Sequence, residues 1–152
     1  MNKGSVIGLD FSTKMLSQCR KVAPSAQLQT ADITLPWPVI DNAVTTVLAD
    51  LVLEHIEDLD HIARESARVL RSGGSVRIAE LHPKRQLEGK KARFQADGEQ
   101  IEIAAYTHTT EEYIGAFIKA GFQLDTLSEP RALCDEVGRP PRLLVMEFSL
   151  KS

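Results

Sequence analysis

Two aspartates stand where short apolar runs end: Asp10 closes "SVIGLD" and Asp32 closes "AQLQTAD". Open α/β sheets take nucleotide-like ligands beyond the carboxyl ends of their parallel strands, and a carboxylate there accepts hydrogen bonds from both hydroxyls of a ribose. Three histidines lie at the ends of predicted elements: His55 after the third strand, His82 after the fourth and His108 before the last helix. A neutral imidazole takes a proton from a nucleophilic oxygen or nitrogen near neutral pH. His82, preceded at two residues by Glu80 and followed by Pro83, and His55 are the candidates for such a base. Cys19 and Cys134 form no CxxC pair and have no His/Cys cluster around them at zinc spacing, so neither a structural metal nor a disulfide framework is expected.

The elements that must carry these residues read as alternating strands and helices. "SVIGLDF" is a β-branched apolar run, and Ser12 is the N-cap of a helix whose Met15, Leu16, Cys19 and Val22 recur at helical spacing. Pro24 stops that helix, "AQLQTAD" is a second strand, and Pro36 and Pro38 stiffen the loop after it. "AVTTVLA" is a third strand. From Asp58 a helix sets Leu59, Ile62, Ala63, Ser66, Ala67 and Leu70 on one face and Arg64, Glu65, Arg68 and Arg71 on the other, ending at Gly73 and Gly74. "SVRIAEL" is a fourth strand, and strands separated by helices imply crossovers and a mainly parallel sheet.

The second half differs. Asp97-Gly98 inside "KARFQADGEQIEI" fits a two-residue hairpin turn, which sets Phe94 opposite Ile101, Ala92 opposite Ile103 and Arg93 opposite Glu102. Thr109 followed by Glu112 is a capping box for a helix with Tyr113, Ile114, Phe117 and Ile118 inward and Gly121 at its end. "FQLDTLSE" and "RLLVMEFSL" are closing strands, joined by the proline-rich loop "PRALCDEVGRPP".

Bulk properties bound the function. A chain of 152 residues, 43% hydrophobic and 26% charged, has the size and composition of one globular domain. Its net charge is −3 and its 18 basic residues are scattered, which leaves no electrostatic footprint for nucleic acid. The local run of Arg85, Lys90, Lys91 and Arg93 reads as a solvated face that would greet an acidic substrate. No apolar run approaches the ~20 residues that span a bilayer, and no signal-peptide core is present, so a cytoplasmic setting is expected.

Four stretches in this order, "VIGLDFSTKMLSQCR", "TADITLPWP", "VLADLVLEHIEDLDHIARESARVLRSGGSVRIAELHP" and "YIGAFIKAGFQL", resemble a class I S-adenosylmethionine-dependent methyltransferase of the type 11 group. The resemblance implies an α/β fold: a Rossmann-like, mainly parallel sheet with helices on both faces and antiparallel C-terminal strands. It implies a single domain over 1–152, with the hairpin at 84–108 as an insertion. It also implies S-adenosylmethionine as cofactor, with Asp10 on the ribose, Met15 against the adenine ring, Asp32 accepting from the adenine amino group and Ile33 offering its backbone. Ala49, Asp50 and Leu51 would then flank the methionine part. The implied reaction is methyl transfer to a small-molecule acceptor.

Dinucleotide-type sites place a glycine-rich turn after the first strand, about 20 residues before the ribose-binding acid. Here that acid is residue 10, and no GxGxG or GxGxxG occurs further on. The chain is therefore expected to begin at the family's second strand, truncated by one strand–helix unit, and to bind S-adenosylmethionine weakly or not at all. Two strand edges would be left bare, to be covered by direct pairing of "SVIGLDF" with "AVTTVLA", by a homodimer or by a separate segment. The alternative function is a non-catalytic fragment or descendant that acts as a dimerisation or protein-binding module.

Overall fold

Ser12 opens the first helix as its spacing predicts: its Oγ accepts from the Met15 amide at 3.2 Å, satisfying one of the unpaired donors of the first turn. In the computed structural model, which describes residues 4–87, 93–96, 99–102, 105–132 and 138–151, this helix belongs to the first of two compact units, Met1–Val39 and Ile40–Ser152. The first unit is one strand–helix–strand repeat. Strands β1 (Ile7–Asp10) and β2 (Gln27–Thr30) pair in parallel, with Asp10 opposite Thr30, and helix α1 (Thr13–Val22) connects them. A Cβ at Gly8 would lie 2.7 Å from Leu28 Cδ2, so a larger residue there would make the Leu28 side chain shift. Helix α1 carries no buried residue and Met15 is 58% exposed, since two short strands and one helix enclose little volume.

The second unit is built on a four-stranded sheet in the order β3-β4-β8-β7. Strands β3 (Val44–Asp50) and β4 (Leu70–Leu81) are parallel, and β8 (Leu143–Leu150) runs antiparallel to both β4 and β7 (Phe122–Ser128). Parallel strands first and antiparallel strands at the C-terminal end is the arrangement the sequence implies. The other edge of β3 carries no strand among the described residues, and β1 has β2 as its strand partner in the first unit. The direct pairing of "SVIGLDF" with "AVTTVLA" is thus not among the described strand ladders.

Helix α2 (Leu59–Val69) begins on Asp58, whose Oδ1 accepts from the His61 amide at 2.9 Å. It ends at Val69 and not at the Gly73-Gly74 pair expected to stop it. The carbonyls of Arg68 and Val69 are taken by the amides of Asn42 and Ala43, at 3.0 and 2.8 Å, and Leu70 is already extended opposite Val44. The next ladder pair is Thr46 with Ser75, so the intervening residues of β4 form a bulge. Gly73 lies there at φ 72°, and a Cβ on Gly74 would meet the Arg71 and Thr45 carbonyl oxygens at 2.8 and 3.1 Å. Gly73 serves the left-handed backbone of the bulge and Gly74 the close backbone approach, and neither is a helix stop.

The expected inward face of α2 is buried at Leu59, Ile62, Ala63, Ser66 and Leu70 but only half-buried at Ala67, and Val69 joins it. Glu65, expected outward, is buried beside Arg68, which bridges it at 2.7 Å and Asp41 at 2.7 Å. After a short helix α3 (Pro83–Leu87), the antiparallel strands β5 (Arg93–Ala96) and β6 (Glu99–Glu102) set Phe94 opposite Ile101 and Arg93 opposite Glu102, the register the turn chemistry predicts. The Asp97-Gly98 turn and the Ala92–Ile103 pair lie outside the described residues.

Helix α4 (Thr110–Lys119) has both bonds of the capping box: Glu112 N to Thr109 Oγ1 at 3.1 Å and Thr109 N to Glu112 Oε2 at 2.7 Å. Tyr113 and Phe117 are buried, whereas Ile114 is half-buried and Ile118, expected inward, is exposed. The buried stripe runs through Ala116 instead, because α4 packs on both α2 and β7. Phe117 stacks on Phe148 with centroids 4.9 Å apart and meets Phe122 edge-on at 5.5 Å. Full burial contributes about 1.5–3 kcal/mol for each such ring.

Candidate functional site

Asp10 and Asp32 come from neighbouring parallel strands of the first unit and stand at the same, carboxyl end. The backbone bond from Ala31 N to Asp10 O, at 3.1 Å, carries the ladder one residue beyond β2, to the residue before Asp32. Each side chain commits one oxygen to its own turn. Asp10 Oδ1 accepts from the Ser12 amide at 2.7 Å. Asp32 Oδ1 accepts from Thr34 Oγ1 at 2.7 Å and from the Thr34 amide at 2.9 Å. Those bonds, the hydroxyl first, hold the Asp32 carboxyl below the ordinary aspartate range, so it is a carboxylate at neutral pH. The second oxygen of each has no protein donor among the described residues.

Ile33 adds a further polar group. Its carbonyl accepts from Trp37 Nε1 at 3.0 Å, while its N–H has no protein acceptor among the described residues. An acceptor carboxylate beside a backbone donor matches the amino group and ring nitrogen on the edge of an adenine. Met15, in the first turn of α1, presents its thioether to solvent.

Ala49, Asp50 and Leu51 belong to the second unit, at the carboxyl end of β3. Asp50 pairs with Ala79, and the Leu51 amide donates to the Ala79 carbonyl at 2.8 Å. Leu51 holds φ at 51°, a left-handed backbone that costs a branched residue about 1–3 kcal/mol and persists only where neighbours enforce it. The three residues that follow Leu51 are held by Glu80, at the end of β4. Its Oε1 accepts from the amides of Val52 and Leu53 at 3.1 and 2.9 Å, and its Oε2 from Glu54 at 3.4 Å. Glu80 is fully buried, and burial outweighs those three bonds, so its carboxyl is raised to about 6. Sequence reasoning used Glu80 only as a neighbour of His82. The available signal was an acid ending an otherwise apolar strand, "VRIAEL".

The histidines part company. His82 is 2% exposed; its Nδ1 accepts from the Lys84 amide at 3.2 Å, which puts the ring proton on Nε2, 2.9 Å from Glu129 Oε1. That bond holds the Glu129 carboxyl below its ordinary range. Both ring nitrogens of His82 are therefore occupied in holding the start of α3 against the end of β7. His55 ends a single 3-10 turn, Leu53–His55, four residues beyond Leu51, with its Nε2 3.6 Å from Glu54 Oε1 and a quarter of its side chain exposed. His108 donates from Nε2 to the Ile56 carbonyl at 2.7 Å and lines an open groove of about 500 Å³ between the starts of α2 and α4. Among the described residues no cluster of His, Cys, Asp and Glu side chains is placed to hold a metal ion.

Comparison with known proteins places this geometry. Residues 1–78 match the family model of the methyltransferase domain, type 11. A demethylmenaquinone methyltransferase of Bacillus cereus is 32% identical over 78 residues, 49% of this chain and 33% of that enzyme, so the matched stretch spans about a third of the relative's length. Among solved structures, a Listeria monocytogenes protein assigned as an S-adenosylmethionine-dependent methyltransferase superposes with a TM-score of 0.81 at 22% identity, over 97% of this chain and 81% of that one. An S-adenosylmethionine-dependent methyltransferase of Mesorhizobium loti gives 0.80 at 20% identity, over 95% and 80%. The fold of those structures and the family match over the stretch carrying Asp10, Asp32 and the β3 end agree: this chain belongs to the type 11 methyltransferase-domain family and has the class I α/β fold.

Proposed function

We propose that this chain is an S-adenosylmethionine-dependent methyltransferase domain acting on a small-molecule acceptor. The observation that carries the reading is the pair Asp10 and Asp32, side by side at the carboxyl ends of two parallel strands, each with one carboxylate oxygen open. Asp10 takes the ribose hydroxyls, Asp32 and the Ile33 amide take the adenine edge, and Met15 covers the ring. The residues that the family resemblance assigns to the methionine part, Ala49, Asp50 and the left-handed Leu51, close β3 in the second unit. The cofactor, when bound, supplies an electrophilic sulfonium methyl group. His55 is the base that removes the acceptor's proton; His82, with both nitrogens committed, positions the chain around it. Two cysteines without paired spacing support a reducing, cytoplasmic setting.

The test is calorimetric titration of S-adenosylmethionine into the chain. Saturable heat with an affinity weaker than micromolar is expected, since the chain offers no glycine-rich turn to approach the ligand closely. Asp10→Ala should weaken it about tenfold to a hundredfold, the loss of a charged hydrogen bond. An affinity indifferent to Asp10 would put the ligand elsewhere.

A second reading, a non-catalytic dimerisation module, is favoured by the edge of β3 that carries no strand among the described residues, and by Leu48, which is 72% exposed on that strand. An unpaired strand edge with an apolar side chain beside it recruits another strand. Absence of cofactor heat together with a dimer by light scattering would favour this reading over the first.

A further inference from the structure

We propose that Glu80 is a positioning residue: its buried carboxylate holds the backbone of residues 52–54 in the conformation that closes β3, and protonation of that carboxylate releases the loop. Three consecutive amides, from Val52, Leu53 and Glu54, point at one side chain that reaches them from the neighbouring strand. Among the described residues no cation pairs with Glu80, so these amides are what stabilise its charge. The surrounding groups are known from each packed element. The 3-10 turn brings Glu54, itself buried and bonded through Oε2 to Gln86 Nε2 at 2.9 Å. Helix α4 brings Tyr113, whose phenol has no hydrogen-bond partner among the described residues and is pushed well up by burial and by both glutamates. Strand β8 places Leu144 opposite Glu80, and His82, two residues on, is bound to Glu129.

A neutral carboxyl accepts more weakly than a carboxylate and carries a donor of its own, so it cannot hold three amides as the anion does. The sign of the pH effect follows from burial. With the Glu80 carboxyl raised from 4.5 to about 6, the folded chain takes up a proton between those values that the unfolded chain does not. Acidification through that window therefore raises the Glu80 contribution to global stability while it loosens the loop. A glutamate that merely filled space would show no such opposition.

The link to the cofactor rests on the function proposed above; the latch itself does not, and its test uses no ligand. In the isotope-labelled chain, titrated from about pH 8 to about pH 4.5, the amide resonances of Val52, Leu53 and Glu54 should move with one midpoint shared with the Glu80 side-chain carboxyl carbon. Glu54→Gln should leave that step in place, which separates Glu80 from its titrating neighbour. Glu80→Gln should abolish the step and speed hydrogen exchange at residues 52–54 about tenfold at neutral pH. Amides that stay still across the range, that follow a different midpoint, or that lose their step in Glu54→Gln overturn the proposal. If Glu80→Gln does not fold, the parent and Glu54→Gln titrations decide alone. A chain that shows the shared step but binds no S-adenosylmethionine at any pH keeps the latch and defeats the cofactor reading.

Discussion

Asp10 and Asp32 each commit one oxygen to closing a turn, and the other, the oxygen proposed for the cofactor, has no protein donor among the described residues. His82 has both ring nitrogens committed. Its ring donates to Glu129, accepts from the Lys84 amide and sits in a fully packed position, so truncation removes two hydrogen bonds and opens a cavity where the ring was. His82→Ala should lower stability by about 1–3 kcal/mol, measured as an unchanged slope with a lower midpoint in urea, and should leave cofactor affinity within twofold of the parent. Loss of methyl transfer with full stability would instead make it a base. Both aspartates stood out in the sequence because an acid closing an apolar run is unusual. What the sequence withheld was which nitrogens of His82 are engaged, since Glu129 lies 47 residues away and only the sheet brings it near.

At the scale of elements, local chemistry predicted starts better than ends. Ser12, Asp58 and Thr109 begin their helices where their side chains reach the third amide on, a contact within four residues of chain. The end of α2 depends on β3, whose neighbouring amides at Asn42 and Ala43 capture the last carbonyls, so a partner remote in sequence overrides the glycine signal. Gly74 tests that account. Gly74→Ala places a methyl against two carbonyl oxygens and should cost about 1–3 kcal/mol in urea unfolding, whereas a glycine that merely ended a helix would tolerate the change. Equal stability of variant and parent would remove the close approach of β4 to β3 from the explanation.

For the whole molecule, the dimer reading turns on the edge of β3 that carries no strand among the described residues. Leu48 points outward on that strand, and the ladder on its far side is unpaired among the described residues. If two copies cover each other's edges, light scattering should give twice the 16.8 kDa of one chain. Leu48→Lys should then return the monomer mass, because a charge on an edge strand opposes strand addition. A parent that stays monomeric at high concentration would remove the dimer reading and leave the edge to another partner.

By itself the sequence determined the alternation of elements, the helix N-caps, the hairpin register and the acids at strand ends, since each is set by residues within a turn or two of chain. Tertiary structure alone decided which strands share a sheet, that Glu65 and Glu80 are buried, and that Ile118 faces out while Ala116 faces in. Those outcomes depend on what packs across from a residue. The sequence shows Glu80 only as an acid near the end of an apolar strand; its partners, the amides of residues 52–54, lie 26 to 28 residues away along the chain. Only when the fold brings them together does its burial acquire a partner, and the loop after β3 its shape.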